Sequence, residues 1–127
     1  MHVLLINGSP HEKGCTYTAL SLVAGELNAA GITTEILNVG TKPVGGCIGC
    51  GGCANGNGCV FGGVVNEAIE KARTADAFVF GTPVHYASAS GNMTSFMDRL
   101  AYAGGKYLAY KPAAICASAR RAGITTT

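Results

Sequence analysis

Apolar and polar residues follow two different spacings along the chain, and each spacing predicts a different kind of element. Short, nearly continuous apolar runs predict strands that are buried on both faces. Such a run occurs at His2–Asn7. Further strands are predicted at Thr33–Val39, which is rich in β-branched residues, at Asp76–Thr82 and at Pro112–Ser118. Elsewhere apolar residues recur every three or four positions, as on one face of a helix. This spacing predicts helices over Thr16–Ala30, Val64–Arg73 and Asn92–Tyr102.

The order of these elements predicts the fold class. Strands alternate with helices through short connections, and no hairpin signal separates adjacent strands. This favours an α/β sandwich with a parallel sheet in the order 2-1-3-4 over an antiparallel α+β domain. We expect one domain over residues 1–127. The chain ends just after the fourth strand, so we expect a fifth strand and a last helix to be missing from it. An uncovered fourth strand would favour self-association.

Charge and hydropathy exclude several classes of partner. The net charge is only +2, and the basic residues are scattered singly apart from Arg120 and Arg121. This is not the basic stripe of a nucleic-acid-binding protein. No apolar run approaches the roughly 20 residues of a membrane helix. The apolar run at the N-terminus is also too short for a signal peptide. We therefore expect a soluble, cytoplasmic protein that binds neither nucleic acid nor membrane.

Two connections that follow strands carry candidate ligand-binding residues. Residues 8–16 (GSPHEKGCT) place small hydroxyl side chains before a helix N-terminus, which is typical of a phosphate site. Their spacing matches neither the Walker A motif nor GxGxxG. The alternative is a plain turn with Thr16 as the helix N-cap. In residues 81–92, Pro83 is expected to end the strand. The rings of His85 and Tyr86 lie beside small residues that would let a planar ligand approach.

Four of the six cysteines occur within thirteen residues, in the glycine-rich segment 45–63, which we call the cysteine loop. Their spacing is Cys-x2-Cys-x2-Cys-x5-Cys. In a cytosolic α/β protein this density indicates metal or redox chemistry. Three hypotheses remain open: a [4Fe–4S] cluster, a structural zinc ion, and free or oxidised thiols without metal. The cysteines are Cys47, Cys50, Cys53 and Cys59. Cys116, in the fourth strand, is interpreted as a small buried apolar residue.

Several segments together resemble a known family. They are Gly8-Ser9-Pro10 with Thr16, the run from Gly81 to Tyr86, the run Phe96-Met97-Asp98-Arg99, and the run from Ala119 to Gly123. Their order and spacing resemble the NAD(P)H-dependent FMN reductases, which are flavodoxin-like and include the iron–sulfur flavoproteins. The cysteine spacing is similar to the compact motif of that branch, in which all four thiolates hold one [4Fe–4S] cluster.

The resemblance implies an FMN site. The ribityl phosphate would be held by Ser9, His11, Cys15 and Thr16. The isoalloxazine ring would be bordered by Pro83, Val84, His85 and Tyr86. From the fourth strand's loop, the ring would be approached by Ser118, Arg121 and Gly123. Asp98 and Arg99 are expected to form a structural pair on a helix surface. A subunit contact is expected from Lys106, Lys111 and the tyrosines at 102, 107 and 110.

The function implied by the resemblance is that of an FMN-dependent oxidoreductase. Electrons would come from NAD(P)H or a reduced ferredoxin-like protein and pass to a flavin, a quinone or another small acceptor. The chemistry would be centred on the flavin and would need no catalytic side chain. One alternative is an iron–sulfur flavoprotein that carries electrons without a substrate of its own. Another is a zinc-stabilised domain without flavin. A homodimer or homotetramer would follow from the resemblance.

Overall fold

The computed structural model describes residues 1–127, which form a five-stranded sheet and three α-helices. The strands are β1 (His2–Asn7), β2 (Thr33–Asn38), β3 (Ala77–His85), β4 (Ser88–Ala89) and β5 (Ala113–Ser118). The helices are α1 (Cys15–Ala29), α2 (Val64–Thr74) and α3 (Gly91–Leu108). A 3₁₀ turn at Ile124–Thr126 lies near the C-terminus.

The predicted parallel sheet is confirmed. β1 lies between β2 and β3, and β3 pairs with β5 on its other side, all in parallel. The four predicted strands therefore lie in the expected order 2-1-3-4, the fourth being β5. The carboxyl ends of β1, β3 and β5 all lie at one edge of the sheet, where ligands bind in open α/β folds.

Both faces of the sheet are covered, as the continuous apolar runs predict. Val3 and Leu5 of β1 pack with Leu20 of α1, whereas Leu4 and Ile6 belong to the larger core beneath α2 and α3. All four β1 side chains are almost fully buried. Neighbouring residues of a strand point to opposite faces, so β1 contributes to both cores of the three-layer sandwich.

The expectation that Pro83 ends its strand is wrong. β3 continues to His85 and then turns back into β4 as a short antiparallel hairpin, with Val84 opposite Ala89. β1 pairs with β3 only as far as Gly81, so no strand on that side requires an N–H from Pro83. This hairpin has no counterpart among the predicted strands.

α3 is longer than predicted and continues past Tyr102 to Leu108. The pair Gly104-Gly105 looks like a helix stop in the sequence, but it lies inside the helix. A Cβ at position 104 would lie 2.8 Å from Cγ1 of Ile69, so glycine allows α3 to pack closely on α2. Tyr107 is half-buried against the larger core, and the Arg73 guanidinium packs over its ring.

β5 pairs only with β3, and its side chains are more exposed than those of the central strands. Ile115, for example, is 79% exposed. None of the three α-helices combines the length and apolar character that a membrane span requires.

Candidate functional site

Two adjoining cavities lie at the carboxyl edge of the sheet. The first, of about 370 Å³, is lined by residues of three separate connections: Ser9, His11, Gly14, Cys15, Thr16, Pro83, Val84, His85, Ser118, Ala119 and Arg120. The second, of about 550 Å³, is lined by Val84, Tyr86, Ala87, Arg120, Arg121, Ala122 and Gly123. The cavities share Val84 and Arg120. Every residue that the sequence nominated for FMN thus lines one of the two.

A fully buried amide shapes the β1–α1 connection. Oδ1 of Asn7 accepts a hydrogen bond from the N–H of Ser9 at 3.1 Å. Its Nδ2 donates to Oδ1 of Asn38 at 2.8 Å and to the carbonyl of Glu12 at 3.4 Å. Ser9 Oγ then accepts from the N–H of His11 at 3.1 Å. These bonds hold the connection in a curve that faces the first cavity.

The N-terminus of α1 opens into the same cavity. Its N-cap is Gly14, which has no side chain to accept a hydrogen bond from the first turn, and that turn contains no acidic residue. The first N–H groups of a helix have no partner within the helix and carry partial positive charge. Thr16 is not the N-cap: it is buried within the first turn, and its Oγ1 lies 2.8 Å from Oγ of Ser118. This contact ties α1 to the end of β5.

The β3–β4 hairpin forms one wall of the second cavity. Its two turn residues, Tyr86 and Ala87, have φ angles of 53° and 61°. Both lie in the left-handed region that most side chains avoid. The Tyr86 side chain is fully exposed. Oγ1 of Thr126 donates to the carbonyl of Ala87 at 2.6 Å, which holds the C-terminal 3₁₀ turn against the hairpin.

α3 begins directly behind these cavities. Oγ of Ser90, its N-cap, donates to the carbonyl of Gly8 at 2.8 Å and accepts from the N–H of Met93. The N–H of Ser90 donates to Oγ1 of Thr82 at 3.0 Å. Ser90 therefore joins the first turn of α3 to the ends of both β1 and β3.

A separate cavity of about 140 Å³ lies between the cysteine loop and α3. It is lined by the four cysteines together with apolar residues and one arginine: Cys47, Ile48, Gly49, Cys50, Gly51, Cys53, Cys59, Val60, Phe61, Arg99, Tyr102 and Ala103. No cysteine forms a disulfide. No three cysteine, histidine or acidic side chains come close enough together to coordinate a single metal ion. The loop therefore gathers four thiols around a shared space without forming a single-ion site.

The model of the NADPH-dependent FMN reductase family matches residues 1–127. The chain belongs to this family. Among curated relatives, an iron–sulfur flavoprotein of Methanocaldococcus jannaschii is 31% identical over 99 residues, covering 78% of this chain and 51% of that protein. An iron–sulfur flavoprotein of Archaeoglobus fulgidus is 32% identical over 99 residues, covering 78% of this chain and 48% of that protein. The chain thus spans about half the length of the curated relatives it matches.

A solved structure shows the same fold. An NAD(P)H:quinone oxidoreductase from Methanothermobacter marburgensis superposes with a TM-score of 0.70 at 22% identity, covering 94% of this chain and 65% of that one. The flavodoxin-like fold predicted for this FMN reductase family member is confirmed.

The sequence predicted the placement of Arg99 wrongly. It does not lie on the helix surface: it is only 7% exposed and faces the cysteine loop. Its Nε donates to Sγ of Cys59 at 3.2 Å. Burial raises the pKa of the Cys59 thiol, but the backbone hydrogen bond from Phe61 and the bond and charge from Arg99 together hold it below its usual value. A thiol that ionises readily is a better metal ligand.

Asn7 and Ser90 are two further residues that sequence reasoning missed in this member of the family. Neither lines the two cavities at the carboxyl edge of the sheet. The available signal was positional. Asn7 is a polar residue at the carboxyl end of a buried strand, and Ser90 precedes an apolar helical stripe as an N-cap does.

Proposed function

We propose that the chain is an FMN-dependent oxidoreductase that takes electrons from NAD(P)H and passes them to a quinone, a flavin or another small acceptor. The observation that carries this proposal is the open N-terminus of α1, which faces one cavity together with the ends of β3 and β5. When bound there, FMN supplies hydride and electron transfer through its ring. The chain itself supplies binding, orientation and charge.

The first cavity fits the phosphate end of FMN. The first turn of α1 offers N–H groups without a partner in the helix, and a helix N-terminus favours negative charge. Ser9 and Thr16 add hydroxyls, and His11 adds a ring that is cationic when protonated. No acidic side chain lines this cavity, so nothing there repels a phosphate.

The second cavity fits the planar end of the same molecule. The backbone of the β3–β4 hairpin and the residues after β5 border it from two sides. Arg120 and Arg121 supply positive charge, which would stabilise the anionic form that a reduced flavin ring takes near neutral pH. Val84 lines both cavities, so one elongated ligand can occupy the two together.

The cysteine loop fits an iron–sulfur cluster better than a single metal ion. Four thiolates are the usual ligand set of a [4Fe–4S] cluster, which spreads them around a body larger than one ion. Cys47, Cys50, Cys53 and Cys59 line a common cavity, yet no three converge on a single-ion position. The two relatives named as iron–sulfur flavoproteins support the same proposal. A bound cluster would supply one-electron transfer beside the two-electron chemistry of FMN.

The test of the FMN site is a fluorescence titration of the flavin-free chain with FMN and with riboflavin, which lacks the phosphate. We expect FMN to bind at least about tenfold more tightly, because the phosphate interacts through charge-assisted hydrogen bonds. Thr16→Val should weaken FMN binding and leave riboflavin binding almost unchanged. Thr18→Val, at an exposed position two residues later in α1 and on the opposite side of the helix, is the matched control. Equal affinities for FMN and riboflavin would refute the phosphate site. If the chain bound neither flavin, the whole proposal would be wrong.

The four-cysteine cavity favours a second candidate, an electron carrier without a small substrate of its own. Steady-state oxidation of NAD(P)H with a quinone separates the two functions, because a carrier shows almost none. Iron and flavin content after anaerobic purification provides the second readout. About four irons per chain would support the cluster. Flavin without iron, together with quinone turnover, would leave a simple FMN reductase.

A further inference from the structure

Arg99 is a buried cation without a carboxylate partner. None of the ion pairs of the chain includes it. A buried charge is costly unless other groups compensate for it. The partners of Arg99 are a sulfur atom, two backbone carbonyls and the face of an aromatic ring. All four partners belong to the cysteine loop, so this loop alone compensates the charge of the guanidinium.

The contacts of Arg99 reach both ends of the cysteine loop. Nη1 donates to the carbonyl of Gly45 at 3.3 Å, before the first cysteine, and Nη2 donates to the carbonyl of Gly62 at 3.0 Å, after the last. Between them, Nε donates to Sγ of Cys59, and the guanidinium packs over the ring of Phe61. One planar side chain thus closes the loop, a role that lysine with its single ammonium group cannot reproduce.

α3 also holds the residues that lead into the cysteine loop. Nδ2 of Asn92 donates to the carbonyls of Gly40 and Lys42, and its Oδ1 accepts from the N–H of Val44. Asn92 and Arg99 are seven residues apart, about two helical turns, so they lie on one face of α3. One face of α3 therefore holds both the cysteine loop, through Arg99, and the segment before it, through Asn92.

We propose that Arg99 is a positioning residue for the iron–sulfur centre: its fork closes the cysteine loop, and its charge favours the more negatively charged, reduced state of the bound cluster. The inference rests on the proposed cluster. The charge argument is one of electron count, because accepting one electron adds one negative charge to the cluster and its thiolates. A buried cation that contacts one of those thiolates stabilises this extra charge and raises the reduction potential.

The experiment compares Arg99→Met, which removes both fork and charge, with Arg99→Lys, which keeps only the charge. Amide hydrogen exchange of the metal-free chain measures loop closure. We expect exchange within residues 45–62 to become about tenfold faster or more in both variants, since each loses charge-assisted bonds to the carbonyls. In both variants the affinity for iron during reconstitution should fall about 10- to 100-fold, as it does when other residues that support metal ligands are removed.

The reduction potential separates the charge from the fork. In a dithionite titration of reconstituted protein, with one electron per cluster, Arg99→Met should have a lower potential than the unmodified chain. Arg99→Lys should remain close to the unmodified value. Arg73→Met is the matched control, because Arg73 also packs over an aromatic ring but is exposed and lies outside the cysteine cavity. It should change neither loop exchange nor potential.

The outcomes distinguish this inference from the proposed function. If the unmodified chain takes up no iron, the cluster is refuted, and the exchange experiment still tests loop closure by itself. Unchanged exchange in both Arg99 variants would overturn the closing role. A potential that falls equally in the lysine and methionine variants, or in neither, would overturn the role of the charge. If Arg99→Met fails to fold, amide exchange in Arg99→Lys, compared with that in Arg73→Met, still tests whether the Arg99 guanidinium closes the loop.

Discussion

At the scale of single residues, the β1–α1 connection depends on how closely another backbone segment approaches it. A Cβ built on Gly40, just after β2, would lie 2.4 Å from the carbonyl oxygens of both Gly8 and Ser9. Those atoms belong to backbone that also frames the first cavity. A side chain at position 40 must therefore displace the connection proposed to hold phosphate.

Gly40→Ala is accordingly expected to destabilise the fold by about 1–3 kcal/mol, the usual cost of overpacking a close contact. It should also weaken FMN binding about tenfold or more. Gly25→Ala is the control. A Cβ there would meet nothing within 4 Å beyond the backbone of its own helix, and alanine favours a helix by about 0.5–1 kcal/mol. Urea unfolding and FMN titration measure both effects. A Gly40→Ala chain that binds FMN normally would contradict the expectation.

The residues that line the cavities were predictable from the sequence, whereas the buried polar residues that support them were not. Ser9, Thr16 and His85 belong to motifs at strand ends, and the topology brings such ends together. Arg99 gave no such signal, because an isolated arginine in a helix is usually exposed. The available clue was its place in the apolar stripe formed by Phe96, Leu100 and Ala103.

At the scale of elements, the β3–β4 hairpin is the least relaxed part of the site. Two-residue hairpin turns with both φ angles positive favour Asn-Gly, because glycine and asparagine tolerate the left-handed region. Here the turn is Tyr86-Ala87. The pairing of β3 with β4 and the hydrogen bond from Thr126 to the carbonyl of Ala87 hold this turn in place. Strain of this kind often occurs where backbone must face a ligand.

Ala87→Gly should therefore raise the free energy of unfolding by about 1 kcal/mol, the order of the cost of a left-handed alanine. Ala89→Gly, two residues later in β4, has no such strain to relieve. It should lower the free energy by about 0.5–1 kcal/mol, since glycine is more flexible in the unfolded chain. Urea denaturation of the flavin-free chain gives both values. A loss of stability in Ala87→Gly would show that this turn is not strained.

The elements predicted correctly are those whose signal is local. β1 and α1 each have a continuous apolar run or stripe with a glycine after it, and their bounds match the prediction within one residue. The hairpin was missed because its turn lacks the expected residues. The predicted helix ends at Tyr102, whereas α3 continues through Gly104-Gly105 to Leu108. The reason for glycine there, close packing on Ile69, exists only in the folded chain.

At the scale of the whole molecule, the two edges of the sheet are unlike. β2 contributes Leu37 to the larger core, whereas β5 has several exposed positions.

Cys116 of β5 is half-buried against the smaller core, and burial raises the pKa of its thiol. A thiol that stays neutral in the folded chain to a higher pH than in the unfolded chain makes stability depend on pH.

Cys116 should contribute fully to the free energy of unfolding below about pH 8.5, where the thiol of the unfolded chain is neutral. This contribution should be lost as the pH rises through the raised pKa of the folded thiol. Between pH 8 and pH 10.5 the unmodified chain should thus lose more stability than Cys116→Ala. Urea unfolding of the two flavin-free chains across this range measures the difference. Parallel profiles would contradict the linkage.

Because one side chain closes the cysteine loop, the segment inside it could be replaced by another. Arg99 contacts the carbonyls just before the first cysteine and just after the last, and backbone carbonyls are present whatever side chains lie between them. Lengthening a closed loop is inexpensive, at about 0.6 kcal/mol for each doubling. A segment with another number of cysteines, or with histidines, could be grafted between residues 45 and 62 while the flavodoxin-like framework stays intact. The proposed metal-binding role of this segment would thus be separable from the fold.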